Sequence, residues 1–95
     1  MHLLVTVVVV LAGFFFRISL TEWCLVLLAI GLVLAAEAFN TALEYLTNLV
    51  SPDYHPLAGK AKDIAAGAVL ILTLISVLVG VLVFFPRIVS WVQSF

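Results

Sequence analysis

The stretch IAAGAVLILTLISVLVGVLVFF, residues 64–85, decides the fold. It carries no charge over 22 residues. At about 1.5 Å of helix rise per residue it spans roughly 33 Å, enough to cross the roughly 30 Å hydrocarbon core of a bilayer. The whole chain has 95 residues, of which 66% are hydrophobic and 9% charged, and its mean hydropathy is +1.39. A soluble domain of this size could not bury so much apolar surface, so the composition predicts a helical membrane protein.

Two further apolar runs precede this stretch, at residues 3–16 and 23–36. The second run continues in helix-forming residues to about Val50, and Ser19 or Thr21 can cap its first turn. A cleaved signal peptide is a weaker interpretation of the first run, because no A-x-A-like site follows it. The sequence therefore predicts one membrane domain over residues 1–95, with spans at approximately 1–16, 23–48 and 62–85.

The charged residues are few and balanced. Four basic residues stand against five acidic ones, for a net charge of -1. No basic patch is available to bind nucleic acid. The single cysteine, Cys24, lies in an apolar run, which excludes an intrachain disulfide and a multi-cysteine zinc site.

Polar side chains recur on one face of the second predicted helix. Glu37 lies about 21 Å along the helix from Trp23, and an acid at such depth indicates function by default. Carboxylate and amide oxygens suit a hard cation such as Mg²⁺, held together with substrate phosphates. In the alternative interpretation, Glu44 and the residues after it are solvated among the headgroups, and Glu37 pairs with a lysine of the next helix. At about 100° per residue, the members of this polar stripe share an arc of about 100°: Glu37, Asn40, Thr41, Glu44 and Asn48.

A second polar cluster runs from the loop into the start of the third predicted span. Lysines beside a helix N-terminus favour binding of phosphate. Two structural alternatives remain: Lys60 is an interfacial anchor, and His55 is a capping group rather than a metal ligand. The small residues at 65–68 allow helices to approach closely, which favours oligomerisation or a narrow substrate slot. The cluster consists of Asp53, Tyr54, His55, Lys60, Lys62 and Asp63.

The motifs EAFNTALE, residues 37–44, and DYHPLAGKAKDIAAGAV, residues 53–69, resemble those of the small bacterial membrane lipid kinases, the prokaryotic diacylglycerol kinase and undecaprenol kinase family. FFFRISLTEW, residues 14–23, is similar to the undecaprenol kinase branch. The resemblance implies an all-α integral membrane protein, a homotrimeric helical bundle with three transmembrane helices per chain. It also implies the bacterial inner membrane, with active sites facing the cytoplasm. The implied reaction is transfer of the γ-phosphoryl group of Mg-ATP to a lipid alcohol, undecaprenol or alternatively diacylglycerol.

The resemblance also assigns roles to residues that match the motifs. Glu37 matches the general base that acts on the lipid hydroxyl, and Glu44 matches the carboxylate that binds the metal with ATP. The residues that match nucleotide-binding positions are Asp53, Tyr54, His55, Lys62 and Asp63. Substrate contacts are implied for Asn40, Ala66 and Trp23.

Two departures from the family pattern stand out. Family members carry a cytoplasmic amphipathic helix before the first span, and it supplies an acidic residue to the metal and nucleotide site. The chain begins at Met1, where that helix should already have ended, so we expect the segment to be missing through start-codon assignment, truncation or evolutionary loss. Asn48 also stands where relatives often have aspartate.

Two functions of other classes stay open. The first is a non-catalytic, truncated membrane subunit of the same fold. The second is a small ion transporter that uses Glu37 and Glu44, although it would not explain the adjacent Lys62 and Asp63.

Overall fold

The computed structural model describes the backbone of residues 2–95 and the side chains of residues 3–95. Within that range the chain forms three α-helices: α1 (His2–Phe16), α2 (Leu20–Val50) and α3 (Pro56–Gln93). The molecule measures 60 × 21 × 17 Å, so its long axis exceeds the roughly 30 Å of a hydrocarbon core. The all-helical class predicted from composition is confirmed.

The two long helices, α2 and α3, are each long and apolar enough to cross a bilayer. They pack on one another over much of their length, whereas α1 makes far fewer contacts with either. With 15 residues, α1 is roughly 22 Å long, shorter than the roughly 30 Å core. That α1 forms a third span stays a prediction.

The turn between α1 and α2 follows from local chemistry. Ile18 N–H donates to Gly13 O and Arg17 N–H to Phe14 O, the pair of hydrogen bonds of a Schellman motif. Arg17 takes the left-handed conformation that this motif requires, with φ 52°. Ser19 then caps α2 in a capping box with Glu22. The predicted cap at Ser19 is therefore confirmed.

The ends of α3 differ from the sequence expectation. The helix begins at Pro56, before the predicted span, because proline suits a first helical position and His55 caps it. Lys62 therefore lies more than a turn inside α3, not at its N-terminus.

At its other end the predicted span stops at residue 85, but the helix continues through Pro86 to Gln93. Proline has no backbone N–H, so the helix lacks one hydrogen bond there and kinks, but it does not always end. Beyond Pro86, Arg87 pairs with Glu22 of α2, and the Trp91 ring lies 5.8 Å from that of Phe15. These tertiary contacts hold the last turns in place.

Three polar contacts fix the antiparallel register of α2 and α3. From one end of the pair to the other they join Arg87 to Glu22, Ser76 Oγ to Ala29 O at 3.3 Å, and Lys62 to Asn48. In this register the small residues 65–67 of α3 lie at about the level of Glu44. The register thus brings the second polar cluster beside the polar stripe.

The single chain buries little of its apolar surface. Among the described side chains, the buried hydrophobic ones are Ile18, Val26 and Val83. Leu20 is 81% exposed and Phe39 78%. Such surface is stable against lipid or against another helix, but not against water.

Gly13 provides a test of the α1–α2 corner. A Cβ atom at this position would lie 2.6 Å from Trp23 Cη2 and 3.2 Å from Ile18 Cδ1. We expect Gly13→Ala to lower the free energy of unfolding by about 1 kcal/mol or more, because overpacking outweighs the gain in helix propensity. The measurement is circular dichroism in mixed micelles during titration with a denaturing detergent. Gly31→Ala is the matched control, since its Cβ meets nothing within 4 Å; equal stability of the two variants would contradict the close packing of Trp23.

Candidate active site

The polar stripe of α2 lies on the side that faces α3. Val26 belongs to the buried cluster with Val83 of α3, and Asn48 bonds to Lys62 of α3. Glu37 is midway between Val26 and Asn48, about three helical turns from each. All three therefore have nearly the same angular position on α2, which directs Glu37 toward α3.

The depths of the two stripe carboxylates differ. If Trp23 marks one interface, as tryptophan commonly does, a core of roughly 30 Å ends near Leu43. Glu37 then lies about 9 Å below the other interface, and Glu44 lies at it. Within the chain, Glu37 is half-buried and Glu44 is exposed. One carboxylate can therefore contact a lipid group inside the membrane, and the other can contact a water-soluble ligand at the interface.

Asn40 lies between the two carboxylates and carries an unsatisfied atom. Its Oδ1 is buried and has no hydrogen-bond partner among the residues that the structure describes. A buried polar atom without a partner is unfavourable by about 1–3 kcal/mol, and such atoms are few in native proteins. A ligand that supplies a donor or a cation would satisfy this oxygen.

The ammonium of Lys62 reaches the stripe from α3. Its Nζ donates to Asn48 Oδ1 over 2.6 Å. Asn48 was on the predicted stripe but was assigned no role, and the signal that could have found it was its position one turn after Glu44. The contact brings a positive charge to the end of the stripe that Glu44 occupies.

The loop of residues 51–55 is ordered by its own hydrogen bonds. Ser51 Oγ donates to Asp53 O over 2.8 Å, and His55 Nδ1 accepts from Leu57 N–H over 3.1 Å. The capping role considered for His55 is therefore confirmed, and the other ring nitrogen, Nε2, takes no part in the cap. Tyr54, 87% exposed, lies over Gly59, whose added Cβ would be 3.6 Å from the ring.

A cleft of about 440 Å³ opens between this loop and the C-terminal end of α2. Its walls are mostly apolar, and they include two hydroxyl groups and an imidazole. Residues around it include Leu46, Thr47, Val50, Ser51, His55 and Leu57.

Two of the predicted substrate residues are far apart. Ala66 is exposed on α3, near the level of Glu44 in the register described above. Trp23 is at the opposite end of α2, with its ring 5.0 Å from that of Phe14. The structure does not bring Trp23 to the stripe, and it gives that side chain a packing role at the α1–α2 corner.

The oxygen-rich stripe fits one hard cation rather than a self-contained metal centre. In the described part of the chain, no three histidine, cysteine, aspartate or glutamate side chains cluster closely enough to hold a metal. Mg²⁺ is often held by one or two carboxylates and completes its shell with phosphate and water oxygens. Glu44 and the unsatisfied Asn40 Oδ1 fit that pattern.

Comparison with known proteins identifies the family of this chain. A family model described as prokaryotic diacylglycerol kinase matches residues 1–84. The chain belongs to the prokaryotic diacylglycerol kinase family. The resemblance drawn from residues 37–44 and 53–69 is therefore confirmed.

Individual relatives in the prokaryotic diacylglycerol kinase family carry two names. Undecaprenol kinase of Bacillus subtilis is 40% identical over 86 residues, which cover 90% of this chain and 70% of that protein. Diacylglycerol kinase of Synechocystis is 37% identical over 90 residues, covering 94% of this chain and 51% of that protein. Diacylglycerol kinase of Escherichia coli K12 is 35% identical over 54 residues, covering 57% and 44%. The chain spans about half the length, or less, of these two diacylglycerol kinases.

Membership of the prokaryotic diacylglycerol kinase family confirms the predicted class of enzyme, a lipid kinase. Together with the apolar helices α2 and α3, it also makes this chain a membrane protein. No comparison tests the roles of individual site residues, which stay predictions.

Proposed function

We propose that this chain transfers the γ-phosphoryl group of Mg-ATP to the hydroxyl of undecaprenol in the bacterial inner membrane. One observation carries the proposal: Lys62 of α3 bonds to the stripe of α2 one turn beyond Glu44. Three groups thus follow one another along the direction of α2. They are the Lys62 ammonium for phosphate, the Glu44 carboxylate for the metal and the deeper Glu37 carboxylate for a lipid hydroxyl. ATP is in the cytoplasm, so this end of the helix pair faces the cytoplasm.

Glu37 is the proposed general base. Glu37 lies about 9 Å below the interface, where the hydroxyl of a membrane lipid can approach it. The carboxylate accepts the hydroxyl proton while the hydroxyl oxygen forms a bond to the γ-phosphorus. The bond between that phosphorus and the β,γ-bridging oxygen breaks, and ADP leaves with the electron pair. The products are undecaprenyl phosphate, ADP and the proton held by Glu37.

Phosphoryl transfer needs positioning and charge stabilisation more than covalent chemistry from the protein. Glu44 and Asn40 would hold the Mg²⁺ that accompanies ATP, and the ion supplies neutralisation of phosphate charge when bound. Lys62 adds a second positive charge on the phosphates. Asn40 also orients the lipid hydroxyl through its amide.

The loop of residues 51–55 and the start of α3 form the proposed nucleotide site. The cleft of about 440 Å³ has room for a planar base against apolar walls. The exposed side chains of His55 and Tyr54 can contact the base and ribose. The remaining proposed nucleotide residues are Asp53 and Asp63, both exposed.

Three copies of the chain, each with α1 as a third span, form the proposed assembly. The exposed apolar faces of α2 and α3, including Phe39 at 78% exposure, support contacts with other copies. The small residues near Ala66 allow a neighbouring helix or the lipid chain to approach closely. Trp23 contacts lipid at the opposite interface.

Undecaprenol is preferred over diacylglycerol as acceptor because residues 14–23 resemble the undecaprenol kinase branch, and because the identity of 40% with the Bacillus undecaprenol kinase exceeds the 37% and 35% with the two diacylglycerol kinases. We expect kcat/KM for undecaprenol to exceed that for dioleoylglycerol by at least about tenfold, which is about 1.4 kcal/mol of discrimination. The measurement offers both lipids, side by side, in micelles with limiting acceptor. A preference for dioleoylglycerol would assign the alternative activity. Transfer to neither lipid would contradict the proposed function.

A further inference from the structure

Lys62 is held by an amide and not by a carboxylate. Its Nζ lies 2.6 Å from Asn48 Oδ1 in a bond at the surface of the helix pair; the Lys62 side chain is half-buried and Asn48 is exposed. A lysine has several rotatable bonds and loses much of its conformational freedom when it is fixed. The contact with Asn48 therefore selects one position of the ammonium before any ligand binds.

The chemistry of the partner decides what the ammonium can still do. It has three N–H donors, of which the contact with Asn48 uses one. The amide is neutral, so the full positive charge of Lys62 remains available to a ligand. A carboxylate at the same distance would offset part of that charge.

Asn48 is also placed to aim this charge. It follows Glu44 by one helical turn, a rise of about 6 Å. A polyphosphate whose metal is bound at Glu44 would extend over this distance toward Lys62. The two N–H donors that remain on Lys62 would then meet phosphate oxygens in charge-assisted hydrogen bonds.

We propose that Asn48 is a positioning residue, which holds the Lys62 ammonium beside the ATP phosphates without neutralising its charge. This inference rests on the proposed function, because it assumes that ATP binds at Glu44 and Lys62. Asn48 itself touches neither the lipid nor the transferred phosphoryl group. Loss of the Asn48 side chain should therefore weaken the binding of ATP and leave the binding of the lipid acceptor unchanged.

The test compares the intact wild-type chain with Asn48→Leu, Asn48→Asp and the control Gln93→Glu, all in micelles with undecaprenol and Mg-ATP. Asn48→Leu keeps the size but removes the acceptor, and Asn48→Asp keeps the acceptor but adds a charge. Gln93→Glu adds the same charge at the far end of α3. Steady-state kinetics give kcat and the KM values for ATP and for undecaprenol. A second readout is the rate of acylation of Lys62 by an amine-selective reagent with and without ATP, with Lys60 as an internal reference.

We expect Asn48→Leu to raise the KM for ATP about tenfold, as for loss of a hydrogen bond to a charged group. The KM for undecaprenol should not change, and ATP should no longer protect Lys62 at the concentration that protects it in the wild type. Asn48→Asp should raise the KM for ATP about threefold, and this effect should shrink at high salt because the added charge is screened. Gln93→Glu should behave as the wild type.

Three results would overturn the inference. An unchanged KM for ATP and unchanged protection of Lys62 in Asn48→Leu, with an active wild type, would refute it alone and leave the proposed function intact. An equal rise in both KM values would show general damage rather than positioning. A wild-type chain with neither phosphoryl transfer nor ATP protection of Lys62 would overturn the proposed function and this inference together.

Discussion

Replacement of Glu37 by glutamine should lower kcat for lipid phosphorylation by at least about a hundredfold, since general bases contribute about 10²–10⁴ to rate. The amide is nearly isosteric but cannot accept the hydroxyl proton. Because Glu37 is the half-buried carboxylate of the stripe and faces α3, no water-exposed group on α2 can replace it at that depth. The KM for ATP should change little, because the nucleotide lies nearer the interface. Steady-state transfer of labelled phosphate to undecaprenol measures both quantities.

Glu22→Gln is the matched control for this variant. It makes the same chemical change on the same helix, but at the end where Glu22 pairs with Arg87, far from the stripe. We expect its kcat to stay within about twofold of the wild type, because a glutamine side chain keeps an oxygen that can accept the hydrogen bonds from Ser19 N–H and Arg87. Wild-type turnover by Glu37→Gln would remove Glu37 from the role of base.

The second large effect is expected at Glu44. Removal of its charge in Glu44→Gln should raise the Mg²⁺ concentration for half-maximal activity by at least about tenfold, because carboxylates dominate the binding of this ion. The exposed position of Glu44 means that the substitution should not unfold the helix pair. Activity should recover in part at high Mg²⁺, unlike that of Glu37→Gln. A titration of Mg²⁺ at saturating ATP makes the comparison.

The same Glu22→Gln chain is the control for metal dependence, because it also loses one negative charge. Its Mg²⁺ titration should overlay that of the wild type. An unchanged titration for Glu44→Gln would count against metal binding at this carboxylate.

Local signals in the sequence were sufficient for much of the fold. Ser19 and Glu22 form a capping box that specifies where α2 begins, and helical periodicity alone puts Glu37 and Glu44 on one face. Such features depend on residues within one or two turns of each other. They could therefore be predicted without knowledge of the neighbouring helices.

Features that depend on packing between helices were missed or wrong. The continuation of α3 through Pro86 is supported by Arg87 and Trp91, whose partners lie on other helices. The contact of Lys62 with Asn48 likewise depends on the register of α2 against α3. Periodicity in one helix carries no information on that register, so the sequence could place Asn48 on the stripe but could not give it a partner.

The central claim is that this chain moves the γ-phosphoryl group of ATP to a lipid hydroxyl with Glu37 as base. The most direct measurement supplies undecaprenol micelles with ATP labelled at either the γ- or the α-phosphorus, using the wild-type chain and Glu37→Gln. We expect label to enter undecaprenyl phosphate from γ-labelled ATP only, and at least about a hundredfold more slowly with Glu37→Gln than with the wild type. Unlabelled lipid after reaction of the wild-type chain with γ-labelled ATP, or equal labelling of lipid by both chains, would contradict the central claim.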